Sequence, residues 1–334
     1  MNLNHTLIIA EAGVNHNGKL DLAFQLCKAA KEAGADIVKF QTWKTEKIIT
    51  RTVAQADYQL ENTGNDESQF DMLKKLELSY EDFKKIKQYC NEIGIQFAST
   101  ADEDESLDFL LSLGIPFIKI ASGEIGNIPY LREVGSKKLP VILSTGMSTL
   151  ADVDEAIRIL TDSGCPKLTL LHCTTNYPCP KGDVNLKAML TLENAFKLDV
   201  GYSDHTEGIE IPIAAVALGA KVIEKHFTLD KNMEGPDHQA STEPKDFRIM
   251  VDAIRNIEKA LGDGIKRPTN AEKNISEVVL KRIVAKRKIK RGELLLPDNL
   301  CVKRNDKGLS SKLWDSVLGT KASRDFEIDE AIEI

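Results

Sequence analysis

No apolar run in this sequence approaches the ~20 residues that a membrane-spanning helix requires, which excludes a helical membrane protein. Positive charge is in deficit. Lys and Arg number 44 against 51 Asp and Glu, a formal net charge of −7. That balance argues against nucleic acid or an anionic membrane surface as the main partner. Cysteine is sparse and carries no paired spacing. Even the near neighbours Cys173 and Cys179 match no zinc pattern, so all six read as reduced thiols. No basic segment or cleavage site precedes the first apparent strand at residues 7–10, so no signal peptide is expected and the chain reads as cytoplasmic. The first turn, Glu11-Ala12-Gly13-Val14-Asn15-His16-Asn17-Gly18, lacks the G-x-G-x-x-G pattern of a dinucleotide fold.

What the chain does have is a repeated alternation of short β-branched runs and helical patterns, the signature of βαβ units and a parallel sheet. The spacing predicts strands at 7–10, 37–40, 96–99, 117–120, 141–143, 168–171, 199–202 and 221–224. Helices between them stop at glycine. One shows Ala23, Leu26, Cys27 and Ala30 on one face before Gly34, and another runs over about 209–218 with Pro212 in its first turn. The last is expected to start on a Thr242 cap, with Phe247, Met250, Val251, Ile254, Ile257 and Leu261 at helical spacing before Gly262. Eight strand–helix repeats is the count of a closed (β/α)8 TIM barrel, and a doubly wound sheet usually has fewer strands. With 334 residues, 42% hydrophobic and 28% charged, the chain suits one barrel at 1–262 and a smaller second domain. Residues 263–279 are polar and carry Gly264 and Pro268, as a linker would. Residues 280–334 read as a small β-rich domain that needs a partner surface.

Active sites of such barrels form at the C-terminal ends of the strands. Every expected strand end here offers polar groups: Glu11, Asn15 and His16; Lys39 and Gln41; Ser99 and Thr100; Lys119, Ser122 and Glu124; Ser144 and Thr145; His172 and Tyr177; Ser203 and His205; Glu224 and His226. Lys39 and Lys119 among hydroxyls suit a phosphate or carboxylate cradle, although a lone lysine is more often salt-bridged. His205 and His226 end consecutive strands and suit a divalent metal with open positions; each alone also reads as a satisfied polar residue. The long connection over 42–79 is expected to be a lid or binding loop.

The motifs EAGVNHNG, KFQT, KIASGE, STGM, HCTTNYP, GYSDHT, EKHFTLD and GPDH occur in this order. Together they resemble the sialic acid synthase family, and KIKRGE with VKR resembles that family's C-terminal antifreeze-like (SAF, β-clip) domain. The resemblance implies condensation of phosphoenolpyruvate with an N-acetylated mannosamine-type sugar to a nonulosonic acid. It implies that His205 and His226 hold a divalent cation, manganese first and magnesium or cobalt next. Lys39, Thr100, Lys119, Ser122, Ser144 and Ser203 would hold phosphoenolpyruvate. Gln41, Tyr177 and Asp237 would contact the sugar, and Glu11 would do acid–base work. Arg304 would reach in from the C-terminal domain of the other subunit of a homodimer. The implied chemistry is metal activation of the open-chain aldehyde, an oxocarbenium ion at C2, and expulsion of phosphate by C–O cleavage.

The pattern departs in two places. Where the family shows STPF the chain has Ser99-Thr100-Ala101-Asp102, and where it shows KRPG the chain has Lys303-Arg304-Asn305-Asp306. The acceptor is expected to be 2,4-diacetamido-2,4,6-trideoxymannose, with N-acetylmannosamine next. The competing classes are a metal-dependent aldolase or deoxyheptulosonate-phosphate-type synthase, which calls for arginine clusters at the barrel mouth, and a non-catalytic binding protein.

Overall fold

The structure, a computed structural model, describes residues 5–53 and 68–333. Eight parallel strands close into a barrel: β1 (Leu7–Gly13), β2 (Ile37–Thr42), β3 (Gln96–Ala101), β4 (Ile118–Ile120), β5 (Val141–Ser144), β6 (Leu168–His172), β7 (Asp199–Asp204) and β8 (Val222–His226). β8 pairs back onto β1, with Glu11 opposite His226, so the sheet has no free edge. A helix follows each strand. The chain divides into two compact units, Met1–Gly262 and Asp263–Ile334. No described helix is long and apolar enough to cross a membrane.

Successive strand residues face opposite sides, and this period of two builds the interior. Outward residues such as Ile8, Val38, Phe97, Ile118, Leu143 and Val200 are fully buried against the helices. Inward residues Leu7, Ile9, Ile37, Ala98, Phe117, Ile142, Leu171 and Val222 fill the lower lumen as a separate apolar plug. Two residues further along six of the strands the inward position turns polar. Ile9 is followed by Glu11, Ile37 by Lys39, Ala98 by Thr100, Phe117 by Lys119, Ile142 by Ser144 and Val222 by Glu224.

Several strands are longer than their β-branched runs. β1, β2, β3, β7 and β8 continue through the polar residues that follow, because alternate side chains there face the lumen while the backbone stays in the ladder. Phe117 lies just before β4. The helix Leu20–Glu32 buries the four residues expected of it. The helix Pro244–Leu261 is not capped by Thr242: Glu243 occupies the cap position without a side-chain hydrogen bond, and Thr242 pairs with Phe227. Hydrogen bonding of the Thr242 N–H to the His226 carbonyl extends the sheet instead.

Within the 42–79 connection, residues 54–67 lie outside the described residues. Its described ends form the helices Thr45–Ile48 and Gln69–Leu76. Trp43, Met72 and Leu76 pack with Val14 of the first βα turn. A Cβ on Gly18 would lie 2.3 Å from the Lys75 carbonyl oxygen, so the connection is seated directly on that turn.

In the second unit, the stretch expected to be a plain linker contains the helix Asn270–Val279. Thr269 and Glu272 form a reciprocal capping box there, and this pattern outweighs the polar composition. Beyond it, β9 (Lys281–Ala285) and β10 (Leu300–Arg304) pair antiparallel. Ile283, Ile289, Leu295, Leu300, Val317 and Phe326 make its own small core.

Gly201 shows how tight the lumen is. A Cβ there would meet the Val222 carbonyl oxygen at 2.4 Å and Leu171 at 2.7 Å. Gly201→Ala is expected to cost about 1–3 kcal/mol, as overpacking does. Gly182→Ala, at an exposed position with nothing within 4 Å, should stay within about 0.5 kcal/mol. Urea denaturation midpoints of the two variants check this.

Candidate active site

The polar ring above the plug lines a cavity of about 160 Å³ at the C-terminal mouth of the barrel. A larger recess of about 260 Å³ opens at the opposite end, beneath the same plug. Its charged groups include Lys167 and Asp199, which pair with each other at 2.9 Å. The concentration of buried ionisable groups is at the C-terminal mouth.

Four charged side chains form the floor of that cavity. Lys39 Nζ lies 2.7 Å from Glu11 Oε2 and 3.7 Å from Glu224 Oε2. Lys119 Nζ lies 3.4 Å from Glu224 Oε1. Hydroxyls complete the set. Lys39 donates to Thr100 Oγ1 at 2.9 Å, Lys119 donates to Ser144 Oγ at 2.8 Å, and Ser203 donates to Glu224 Oε1 at 3.1 Å. The Gln41 amide donates to Glu11 Oε1 at 3.0 Å. All but Gln41 are buried.

These neighbours split the two carboxyls. Burial pushes Glu11 up to about 7; Lys39 opposes the rise and Glu224 adds to it. Burial would raise Glu224 as well, but Lys119 and Lys39 together hold it at about 2. Burial works against the charge on Lys39, yet Glu11 and Glu224 keep it above its ordinary value. Lys119 goes the other way, lowered by burial despite Glu224. Two carboxyls whose environments drive them apart mark a division of labour between a fixed anion and a proton carrier.

The two histidines stand higher in the cavity, with ring centroids 5.5 Å apart. His205 Nδ1 donates to the Thr174 carbonyl at 2.7 Å, which leaves Nε2 as a free lone pair. His226 Nδ1 is buried without a hydrogen bond, and the nearest carboxylate oxygen, on Asp237, is 3.9 Å away. Burial lowers both imidazoles, so they are neutral at physiological pH. No group of three or more His, Cys, Asp or Glu among the described residues converges on one point. Two neutral imidazoles at adjacent strand ends are nevertheless ligand types a divalent cation accepts, and His205 and His226 are the residues that would hold one.

The lumen brings together most of the residues expected from the strand ends. Glu11, Lys39, Gln41, Thr100, Lys119 and Ser122 line the cavity, as do Ser144, Tyr177, Ser203, His205 and His226. The Tyr177 ring lies 4.2 Å from His205 and 5.4 Å from His226. Ser122 Oγ accepts from the Gly146 N–H at 3.0 Å. A Cβ on Gly146 would meet Thr175 at 2.3 Å and Ser122 at 2.8 Å, so only glycine fits this approach. Asp237 sits behind His226, and burial raises its carboxyl to about 6. Arg304 is exposed at the end of β10 in the second unit. Asn15 and His16 serve the first turn: Asn15 bonds the Phe227 carbonyl and Ser241, and His16 Nδ1 accepts from Gly18 N–H.

Two cavity residues carry more than their sequence positions suggested. Glu224 bridges both lysines, and the inward run Val222, Glu224, His226 was the signal for it. Asp102 also lines the cavity, which includes no arginine among the described residues.

Residues 26–266 match the NeuB family and residues 282–333 match the SAF domain. The chain is 50% identical over 332 residues to the N,N'-diacetyllegionaminic acid synthase of Campylobacter jejuni, covering 99% of each. It is 48% identical to the enzyme of the same name from Legionella pneumophila, covering 95% of this chain and 90% of that one. The crystal structure of N-acetylneuraminic acid (sialic acid) synthetase from Leptospira borgpetersenii, in complex with citrate, superposes with a TM-score of 0.72 at 35% identity, covering 82% of this chain and 90% of that one.

If the two imidazoles hold a divalent cation, His205→Ala and His226→Ala should each weaken Mn²⁺ binding by at least the ~10–100-fold that even outer-shell partners cost. Titration of Mn²⁺ followed by electron paramagnetic resonance checks this, with an unchanged far-ultraviolet circular dichroism spectrum as the control for folding.

Proposed function

This chain belongs to the NeuB family, and from that premise we propose that it condenses phosphoenolpyruvate with an N-acetylated mannosamine-type sugar, releasing a nonulosonic acid and inorganic phosphate. The acceptor is 2,4-diacetamido-2,4,6-trideoxymannose, a reading supported by the two legionaminic acid synthases at 50% and 48% identity. N-Acetylmannosamine is the nearest alternative. The observation that carries the reaction class is one cavity in which two buried lysines and their hydroxyls lie below two neutral histidines.

Lys39 and Lys119 supply the charge that a phosphate and a carboxylate require, in a site too dry to screen it. The hydroxyls of Thr100, Ser144 and Ser203, now tied to those lysines and to Glu224, stand ready to donate to the same anion. Ser122, held by the Gly146 N–H, serves the same end. The fixed negative charge of Glu224 keeps the lysine ammoniums aligned. Gln41 and Tyr177 face the space left for the sugar, and Asp237 supports it from behind His226. A divalent cation, manganese first with magnesium or cobalt as substitutes, would be held by His205 and His226 and would supply Lewis-acid polarisation of the sugar aldehyde.

The enol carbon then attacks the aldehyde and positive charge develops at C2 of the former phosphoenolpyruvate. Glu11 accepts a proton from the water that adds there; of the two protons the water brings, one ends on the former aldehyde oxygen and the other on the departing phosphate, as C2 becomes a ketone. Phosphate leaves as its C–O bond breaks, met by the lysines already aimed at it.

We assign a homodimer in which the C-terminal unit of one protomer covers the barrel of its partner, with Arg304 gripping the sugar's N-acyl group. Supporting this, Ile275, Val278 and Val279 are exposed on the helix Asn270–Val279, an apolar face unusual for water. All six cysteines are free, which suits a reducing compartment, and we place the reaction in the cytoplasm.

The direct test is phosphate release from phosphoenolpyruvate with Mn²⁺, offering both sugars in parallel. Release with the diacetamido sugar, abolished in His205→Ala, is the expected result; release with neither sugar overturns the reading. A second expectation follows from Glu11. Because its carboxyl must be ionised to take a proton, kcat/KM should rise with pH through about 7 and then level off. Glu11→Gln should lower kcat by ~10²–10⁴-fold and erase that limb of the profile.

A further inference from the structure

We infer that Asp102 is a sugar-recognition residue of this site, its carboxyl accepting a hydrogen bond from a hydroxyl or amide N–H of the acceptor. The inference rests on the condensation proposed above and adds a residue that neither motif nor metal chemistry called for. Its first support is register. The Asp102 N–H donates to the Thr42 carbonyl at 3.2 Å, so the β2–β3 ladder runs one residue past the end of β3. The inward series on that strand is therefore Ala98, Thr100, Asp102. Ala98 belongs to the apolar plug and Thr100 to the lysine floor. Asp102 stands one step nearer the mouth, as Gln41 does after Lys39 and His226 does after Glu224. All three line the same cavity.

The second support is hydrogen bonding. Glu11 is taken by Lys39 and Gln41, Glu224 by both lysines and Ser203, and Glu124 by the Asn127 amide at 2.6 Å. The carboxyl of Asp102 has no partner among the described residues, although it lies in the wall of the cavity. Burial, with Glu124 adding to it, pushes this carboxyl up to about 7, while Lys39 and Lys119 oppose the rise. Asp102 is half-buried with its carboxyl at the cavity, so a molecule that fills the cavity and displaces water there must supply a donor in exchange. Phosphoenolpyruvate is an unsuitable partner, since its phosphate and carboxylate bring acceptors and negative charge. A sugar brings hydroxyl and amide donors. This is also the position where the chain departs from the STPF pattern, replacing an aromatic ring with an acceptor.

The test is steady-state kinetics of Asp102→Leu and Asp102→Asn in the full-length protein with Mn²⁺, varying each substrate in turn. The sugar probes are 2,4-diacetamido-2,4,6-trideoxymannose and N-acetylmannosamine. Loss of a hydrogen bond to a charged group predicts a rise in sugar KM of ~10–100-fold for Asp102→Leu. Asp102→Asn, which keeps one acceptor oxygen in the same shape, should rise less. KM for phosphoenolpyruvate should stay within about twofold in both, a split that general damage to the fold would not produce. An unchanged sugar KM in Asp102→Leu overturns the inference, and so does a rise in phosphoenolpyruvate KM of equal size. If Asp102→Leu does not fold, Asp102→Asn alone decides by the same split. A wild-type protein that converts neither sugar overturns the condensation itself, and this inference with it; an active wild type with indifferent Asp102 variants overturns only the inference.

Discussion

Four ionisable groups buried on the floor of one cavity are the constraint to which this fold answers. Removing an ammonium or a carboxylate from water costs several kcal/mol, and close pairing must offset most of it. Lys39, Glu11, Glu224 and Lys119 achieve that pairing only because they come from four different strands held in one register. A closed parallel barrel provides such a register, since Glu11 faces Lys39 on one side and His226 on the other. A one-residue slip in any strand would turn its charge into the helix layer and leave its partners unpaired.

The outer parts of the site inherit their precision from that floor. His205 is fixed by the Thr174 carbonyl, and the turn that carries it is anchored by Lys225, which is fully buried and paired with Asp204. Lys225 also donates to the Thr206 carbonyl at 2.8 Å, clamping both flanks of His205. The first turn is tied to the last by Asn15 and by the bond from His238 to Asn17. Polar ties between loops thus convert the rigidity of the strands into rigidity at the mouth.

Much of this was legible in the residues alone, for reasons that the structure makes plain. β-Branched runs located the strands because an outward residue must be apolar to meet a helix. Polar strand ends located the site because the lumen narrows onto a plug and leaves room for chemistry only above it. What escaped notice depended on neighbours in space. Glu224 read as one more polar strand end until its two lysines were seen beside it. Thr242 resembled a cap, but the sheet had a stronger use for its N–H. The helix Asn270–Val279 was hidden by polar composition, although its Thr269–Glu272 capping box was present in the sequence. Asp102 looked like damage to a motif, and only the extension of the β3 ladder shows where its side chain belongs.

The apolar plug has a consequence of its own. Leu7, Ile9, Ile37, Phe117 and Ile142 lie between the upper cavity and the recess below, so among the described residues an apolar partition separates the two. Whatever occupies the lysine floor is thus cut off from the far end of the barrel by fixed side chains and not by a moving gate.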